Sequence, residues 1–130
     1  MEEKVRMSGT NAAVEHLAGE YESLGLSLTV ARGEQVLACA LVRPIHPGVI
    51  ELTALLSVAF VEHTLSAGRA CKEIIAGLFK QLHLHRIQTT VRSDFPAGLR
   101  FVKWLGFRRE GVARQYSHDR VDAIYYAIMR

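Results

Sequence analysis

The fold of this chain is decided by the stretch VIELTALLSV at residues 49–58. Its residues are apolar almost throughout, and valine and isoleucine begin it, which is typical of a strand covered on both faces in a parallel or mixed sheet. The only charged residue in the stretch is Glu51. After a loop over 59–65, the apolar residues of 66–82 recur every three or four positions and predict a helix. A strand that leads through a loop into a helix is therefore the centre of the predicted domain.

The second half of the chain continues with strands and one more helix. This helix is predicted to begin after Asp94, whose side chain would cap it, with Pro96 in its first turn and Gly106 just past its end. The predicted strands of this half lie at residues 86–91, 112–117 and 121–129. The turn between the last two strands is predicted at 117–120.

The first half of the chain is dominated by a hairpin, with strands predicted at residues 26–32 and 36–42. Residues 43–48 contain two prolines and are predicted to form a loop, because proline interrupts strands and helices alike. Ahead of the hairpin, apolar residues at helical spacing predict a helix over 13–24, after a short edge strand. The complete order predicts an α/β (α+β) fold with a mixed central sheet and helices on both faces.

Length and composition indicate one globular domain over residues 1–130. Hydrophobic residues make up 49% of the chain and charged residues 22%, which is the ordinary range for a globular protein. No apolar run is long enough to span a membrane, and the polar start does not resemble a signal peptide. Cys39 and Cys71 lie in apolar segments, so we expect core thiols in a reducing cytoplasm and no disulfide.

The net charge of +3 conceals an asymmetry between the two halves of the chain. Residues 1–68 carry 4 Lys/Arg and 8 Asp/Glu, whereas residues 69–130 carry 12 and 5. A basic half suits a polyanionic ligand such as coenzyme A, and it is equally consistent with a solvated basic surface. There is no Arg-rich run and no alternation of aromatic and basic residues, so we do not expect a nucleic-acid partner.

The end of the second predicted helix carries a resemblance to a known family. The run FVKWLGFRREG at 101–111, after the strand, loop, helix and strand described above, resembles the GNAT family of acetyl-CoA-dependent N-acetyltransferases. The likeness covers about the last two-thirds of the chain and implies the GNAT fold. More narrowly, LHRIQ at 84–88, DFPAG at 94–98, Tyr116 and Tyr125-Tyr126 are similar to GNAT-like proteins of phages and prophages, a subgroup that includes internal virion proteins of short-tailed phages.

The resemblance implies acetyl-CoA as the co-substrate and assigns residues that would bind it. Backbone amides of the central strand would stabilise the tetrahedral oxyanion, and here they belong to Leu56, Ser57 and Val58. The family binds pyrophosphate with Arg/Gln-x-x-Gly-x-Gly/Ala where the loop enters the helix, and a helix N-terminus favours anions there. Counted without gaps, that segment and the residue after it place the ligands at His63, Ser66, Ala67, Gly68 and Arg69. Ser66 stands in place of the first glycine and His63 in place of Arg or Gln.

The catalytic groups match the family less well. The resemblance implies a carboxylate on the central strand as general base, and Glu51 is the only acid there. The position of the tyrosine that usually acts as general acid in the family is occupied here by Val102, and the position of the usual asparagine by Phe95. Valine cannot protonate a thiolate. Tyr116, in the predicted penultimate strand, is the alternative proton donor, and a buried structural tyrosine is the other interpretation.

Three functions remain open on the sequence. The chain could be an acetyltransferase acting on an amine of a small molecule or a protein, a catalytically inactive GNAT-fold protein that works among other phage virion proteins, or a coenzyme A-binding module without turnover. The location would be the host cytoplasm or a virion. No spacing of metal ligands is present, so no metal is expected. Tyr125 and Tyr126 point to opposite faces of the last strand, which leaves a homo-oligomer open.

Overall fold

The computed structural model describes residues 3–8, 26–57, 60 and 62–130 of the chain. The helix predicted over 13–24 lies outside the described residues, and the prediction of helices on both faces depends on it. The described elements are β1 (Glu3–Ser8), β2 (Leu26–Arg32), β3 (Gln35–His46), β4 (Val49–Leu56), α1 (Thr64–Gln81), β5 (Arg86–Arg92), α2 (Pro96–Trp104), β6 (Arg108–Ala113) and β7 (Ala123–Met129).

The seven described strands form one sheet in the order β1-β2-β3-β4-β5-β7-β6. Every neighbouring pair is antiparallel except β4 and β5, which run parallel and are connected through α1. The mixed sheet predicted from the sequence is therefore confirmed. The central stretch around Glu51 is β4, and it has neighbours on both sides.

The core lies between the sheet and the two described helices, which pack on the same face. The predicted apolar stripe of α1 supplies Ile75, Leu78 and Phe79, and α2 supplies Val102. They pack against strand residues that include Ile50 and Ile87, each 0% exposed. Side chains alternate along a strand, so Glu51 faces away from these helices.

Residues 43–46 were predicted as a loop, and this prediction is wrong. β3 continues to His46, with Arg43 opposite Glu51 and Pro44 opposite Ile50 in β4. Within the described residues the pairing with β2 ends at Val42, and Pro44 is paired with β4 alone; a proline is tolerated where a strand has no second neighbour. A register shift follows directly, and the turn at 47–48 completes a hairpin.

Two predictions in the second half are also corrected. The penultimate strand begins at Arg108 and ends at Ala113, so Tyr116 lies beyond it. Asp94 does not cap α2: the N-cap position is Phe95, without a side-chain cap bond, and the Asp94 carboxylate accepts from Arg92 instead. An ion pair with an arginine competes successfully here with a hydrogen bond to a helix amide. The predicted end of α2 is confirmed, because Gly106 follows it with φ of +104°.

Candidate active site

The parallel strands β4 and β5 separate from each other partway along their length. They are in register over only four residue pairs, from Val49 with Arg86 to Leu52 with Thr89. The hydroxyl of Thr89 donates to the Leu52 carbonyl at 2.7 Å and closes the last pair. Both strands continue beyond it, β4 to Leu56 and β5 to Arg92. The separated ends, residues 53–56 and 90–92, form an opening in the sheet that we call the fork.

A cavity of about 400 Å³ lies at the fork, between the strands and the two helices. Its walls are mainly apolar, and they include Leu52, Ala54, Val91, Phe101, Val102 and Leu105. The polar residues of its lining, Thr89, Thr90 and Arg92, lie together along the β5 rim. Such a concave, mostly apolar space with a few polar groups at one side is the usual form of a small-molecule site.

The backbone of β4 points one predicted oxyanion donor into the fork. The Ser57 amide donates to the Leu37 carbonyl of β3 at 2.9 Å, and the Ser57 hydroxyl donates to the Val36 carbonyl at 2.8 Å. Both donors of Ser57 are therefore directed towards β3. Successive amides along a strand alternate between its two edges, so the Leu56 amide is directed towards the fork. Val58, the third predicted donor, lies outside the described residues.

The predicted phosphate-binding segment is largely helical and not a loop. α1 begins at Thr64, and its first intrahelical bond joins the Ala67 amide to the His63 carbonyl at 2.9 Å. The described first turn contains no acidic side chain. The Ser66 hydroxyl donates back to the His63 carbonyl at 3.4 Å, and Arg69 is exposed one turn further on. The helix N-terminus that favours an anion thus precedes most of the residues predicted to bind it.

Arg32 brings an arginine to this helix N-terminus. Its Nη1 atom lies 2.6 Å from Nδ1 of His63, the N-cap residue of α1. A guanidinium can only donate, so Nδ1 of His63 is the acceptor of this hydrogen bond. Arg32 ends β2, thirty-one positions earlier in the chain. No local motif connects the two residues, so the sequence reasoning missed Arg32.

Gly68 and Ala67 serve the packing of the two helices. Both are buried in α1. A Cβ atom at Gly68 would lie 2.8 Å from Cζ3 of Trp104, which is closer than two carbon atoms can approach. Trp104 belongs to α2, where it stacks on Phe101 at 6.1 Å between ring centroids. A glycine at 68 is therefore explained by the contact between the helices, whether or not a phosphate binds nearby.

Glu51 is held on the opposite face of the sheet from the helices. It is 9% exposed, and its Oε2 atom accepts a hydrogen bond from Arg43, its register partner on β3. Gln88 is its register partner on β5, so Arg43, Glu51 and Gln88 form a polar row across three strands. The row lies one residue before the point where the fork opens. This position is compatible with the predicted role of Glu51, which remains a prediction.

The predicted proton donor, Tyr116, is not among the residues that line the cavity. Tyr116 is 53% exposed in the connection between β6 and β7, where its ring meets Tyr125 edge-on at 6.3 Å. It is neither in a strand nor buried, contrary to both expectations about its surroundings. Val102 is 5% exposed and forms part of the cavity wall, as does Phe95. The family's two polar positions are thus occupied by apolar side chains that line the cavity.

Arg92, on the rim of the cavity, joins three segments of the chain. It donates to both oxygens of Asp94 at 3.0 Å, and to both oxygens of Asp119 at 3.2 and 2.8 Å. Asp94 precedes α2, and Asp119 lies in the connection between β6 and β7. Hydrogen bonds from Arg92 lower the pKa of both carboxyls. The arginine therefore fixes one side of the fork through ionised partners.

We expect this cluster to make stability depend on pH. Both carboxyls are more acidic in the folded chain than in the unfolded one, so the unfolded chain binds more protons once the pH falls below about 4. The stabilisation is complete at neutral pH and is lost as the pH falls through the lowered pKa values. Between pH 7 and pH 3, the free energy of unfolding, measured with urea, should fall less for Arg92→Gln than for the wild type. Arg100→Gln, an exposed change on α2, should lose as much free energy of unfolding over this pH range as the wild type. If Arg100→Gln showed a loss as small as that of Arg92→Gln, the pH dependence could not be assigned to the Arg92 cluster.

No known family model matches the chain, and a search of curated proteins finds no match either. Solved structures do match. The ribosomal-protein-S5-alanine acetyltransferase of Vibrio fischeri superposes with a TM-score of 0.78 at 16% identity, over 99% of this chain and 93% of that one. A GNAT family acetyltransferase of Elizabethkingia anophelis, with acetyl-CoA bound, gives 0.75 at 13% identity over 99% of each chain.

A third match is the ribosomal-protein-S18-alanine N-acetyltransferase of Escherichia coli, with a TM-score of 0.72 at 17% identity, over 98% of this chain and 94% of that one. Identities this low establish the fold alone: the chain has the fold of the GNAT acetyltransferases. No helix in the described residues is both long and apolar enough to cross a membrane. The described residues also contain no group of three His, Cys, Asp or Glu side chains that could hold a metal ion.

Proposed function

We propose that this protein transfers an acyl group from a coenzyme A thioester to an amine, with acetyl-CoA as the first donor to assay. The observation that carries the proposal is the fork, where β4 and β5 separate after Leu52 and Thr89 beside a cavity. A thioester carbonyl placed there would meet the Leu56 amide. Where β4 and β5 no longer pair, an amide of β4 that points towards β5 is placed to donate to a developing oxyanion.

The same arrangement suggests a route for the other groups. The first turn of α1, with Arg32 beside it, offers positive charge to the pyrophosphate of coenzyme A. The amine would approach from the face of Glu51, which would take its proton directly or through water as nitrogen attacks the carbonyl carbon. The tetrahedral intermediate then expels the thiolate, which is protonated from solvent, because the described walls of the cavity offer no acidic tyrosine there.

One observation favours a second candidate. Val102 is buried where the resemblance places an acid, so the fold could serve a coenzyme A-binding module without turnover, or a structural protein such as a phage virion component. Binding assays separate these possibilities from each other. Binding with turnover supports the enzyme, and binding without turnover supports the module. The absence of both binding and turnover supports the structural protein. Transfer to an amine of a small molecule or a protein, and assembly into a homo-oligomer, are likewise proposals.

A negative charge at the start of α1 should weaken coenzyme A binding. Leu65 lies in the first turn and is 61% exposed, so Leu65→Glu alters little packing. We expect calorimetry to show about tenfold weaker binding, because like charges about 4 Å apart repel by about 1 kcal/mol in water and by more near a protein surface. The same change should raise the free energy of unfolding by about 0.3–1 kcal/mol through the helix dipole.

Leu41→Glu is the matched control. Leu41 is also 61% exposed, but it lies on β3 and faces away from α1. It should leave the affinity for coenzyme A within about twofold. Equal effects of the two variants, or no effect of Leu65→Glu, would mean that the phosphates do not bind at the start of α1.

A further inference from the structure

We infer that the acyl group is a linear chain of medium length, of the size of hexanoyl, and that it lies in the cavity at the fork. This inference rests on the proposed function and names the donor that the site takes. In this inference the hydrocarbon chain of the acyl group fills the space between β4, β5 and the helices, which an acetyl group would not fill. Three observations carry it: the volume of the cavity, its lining and the second apolar cavity beside it in the core.

The volume is large for an acetyl group. The cavity holds about 400 Å³. An apolar cavity of about 150 Å³ is enough to bind benzene, which has six carbons. A methyl group would leave most of this space unoccupied by the ligand. A chain of six carbons uses that space.

The lining separates hydrocarbon from polar atoms. The polar residues of the lining, Thr89, Thr90 and Arg92, all belong to β5, whereas Phe101, Val102 and Leu105 belong to the α2 side. The arm of coenzyme A contains two amides, and an amide buried without partners is strongly disfavoured. The arm can satisfy its amides only along the rim and the β4 backbone. The part of the cavity beneath α2 suits a ligand with no hydrogen-bonding groups.

The first cavity adjoins a further apolar space in the core. A second cavity of about 90 Å³ shares with it the walls formed by Leu52, Ala54, Ile75, Phe101 and Leu105. Cys71 lies on the far wall, and burial raises its pKa to about 11, so at neutral pH it is an uncharged thiol that presents an apolar surface. An acyl chain longer than hexanoyl would meet this second cavity on the core side of β4.

Binding of coenzyme A and of its acetyl, butanoyl, hexanoyl and octanoyl thioesters to the full chain tests the inference by calorimetry. Each methylene that enters the cavity should tighten binding about fourfold. Hexanoyl-CoA should therefore bind on the order of a hundredfold more tightly than acetyl-CoA. Equal affinities, or affinities that fall with length, would overturn the inference and leave the proposed function standing. If neither coenzyme A nor any thioester binds, the proposed function fails as well.

Filling the cavity should remove the dependence on chain length. Val102→Phe adds a ring to the buried wall, and circular dichroism and thermal unfolding show whether it folds. Ala54→Leu is the second variant, at an exposed position of β4 on the same cavity. Thr53→Leu, the exposed neighbour on the other face of the strand, should keep the full dependence. A dependence that persists in a folded, filled variant would place the chain elsewhere and overturn the inference.

Discussion

Replacing Ile87 with alanine should lower the free energy of unfolding by about 2–5 kcal/mol. Ile87 is 0% exposed, and its register partner on β4 is Ile50, which is also 0% exposed. This pair lies within the short parallel segment that holds β4 and β5 together below the fork. Removing the side chain leaves a void that the core between sheet and helices cannot close completely. Urea unfolding followed by circular dichroism measures the loss.

Val112→Ala provides the comparison for that prediction. Val112 lies on β6, the strand at the edge of the sheet, and it is 42% exposed. Its truncation should cost less than about 0.5 kcal/mol, as for most exposed positions. Similar losses for the two variants would show that the parallel segment contributes no more to stability than the edge does. A loss near zero at Ile87 would contradict the described core.

Replacing Glu51 with glutamine should lower the rate of acyl transfer about 10²–10⁴-fold, the usual contribution of a general base. Glutamine keeps the shape of the side chain but cannot take a proton from the attacking amine. The change should alter stability little, because Arg43 loses an ionic partner while its side chain is 71% exposed to water. The binding of coenzyme A should be unchanged, since Glu51 faces away from the cavity. Steady-state kinetics and calorimetry on the same preparation measure both quantities.

Glu110→Gln is a suitable control for Glu51→Gln. Glu110, on β6, is also paired with an arginine: its Oε2 atom accepts from Arg86 at 2.9 Å. This variant should keep the wild-type rate. If Glu51→Gln also retains the rate within about threefold, Glu51 is not the base. At elevated pH the amine is already deprotonated and needs no base. If Glu51→Gln lowered the rate there as much as at neutral pH, that result would also contradict the role of Glu51 as the base.

Local patterns in the sequence predicted most of the elements. The apolar repeat of residues 66–82 identified α1, and the unbroken apolar run around Glu51 identified the central strand. Gly106 marked the end of α2 because a positive φ favours glycine. Each of these signals depends on residues within a few positions of one another. That is the range over which helical and strand periodicity acts.

The wrong predictions arose where a local rule met a competing contact. Pro44 suggested a loop, but an edge position of β3 tolerates it. Asp94 suggested a cap, but Arg92 holds its carboxylate. Placing residues 43–46 in a loop also concealed the partner of Glu51, because Arg43 reaches it only as a neighbour on β3. The turn at 47–48 was the signal that could have predicted this hairpin.

The sequence by itself determined the order of the described strands and helices, the mixed sheet and the position of Glu51 on its central strand. Only the tertiary structure decided where the pairing of β4 and β5 ends, which arginine meets the start of α1, and that Gly68 makes room for Trp104. The physical reason is the range of the interactions. Periodicity and turn chemistry act between near neighbours, whereas strand register and cavity shape depend on contacts between distant segments, which form only when the whole core packs.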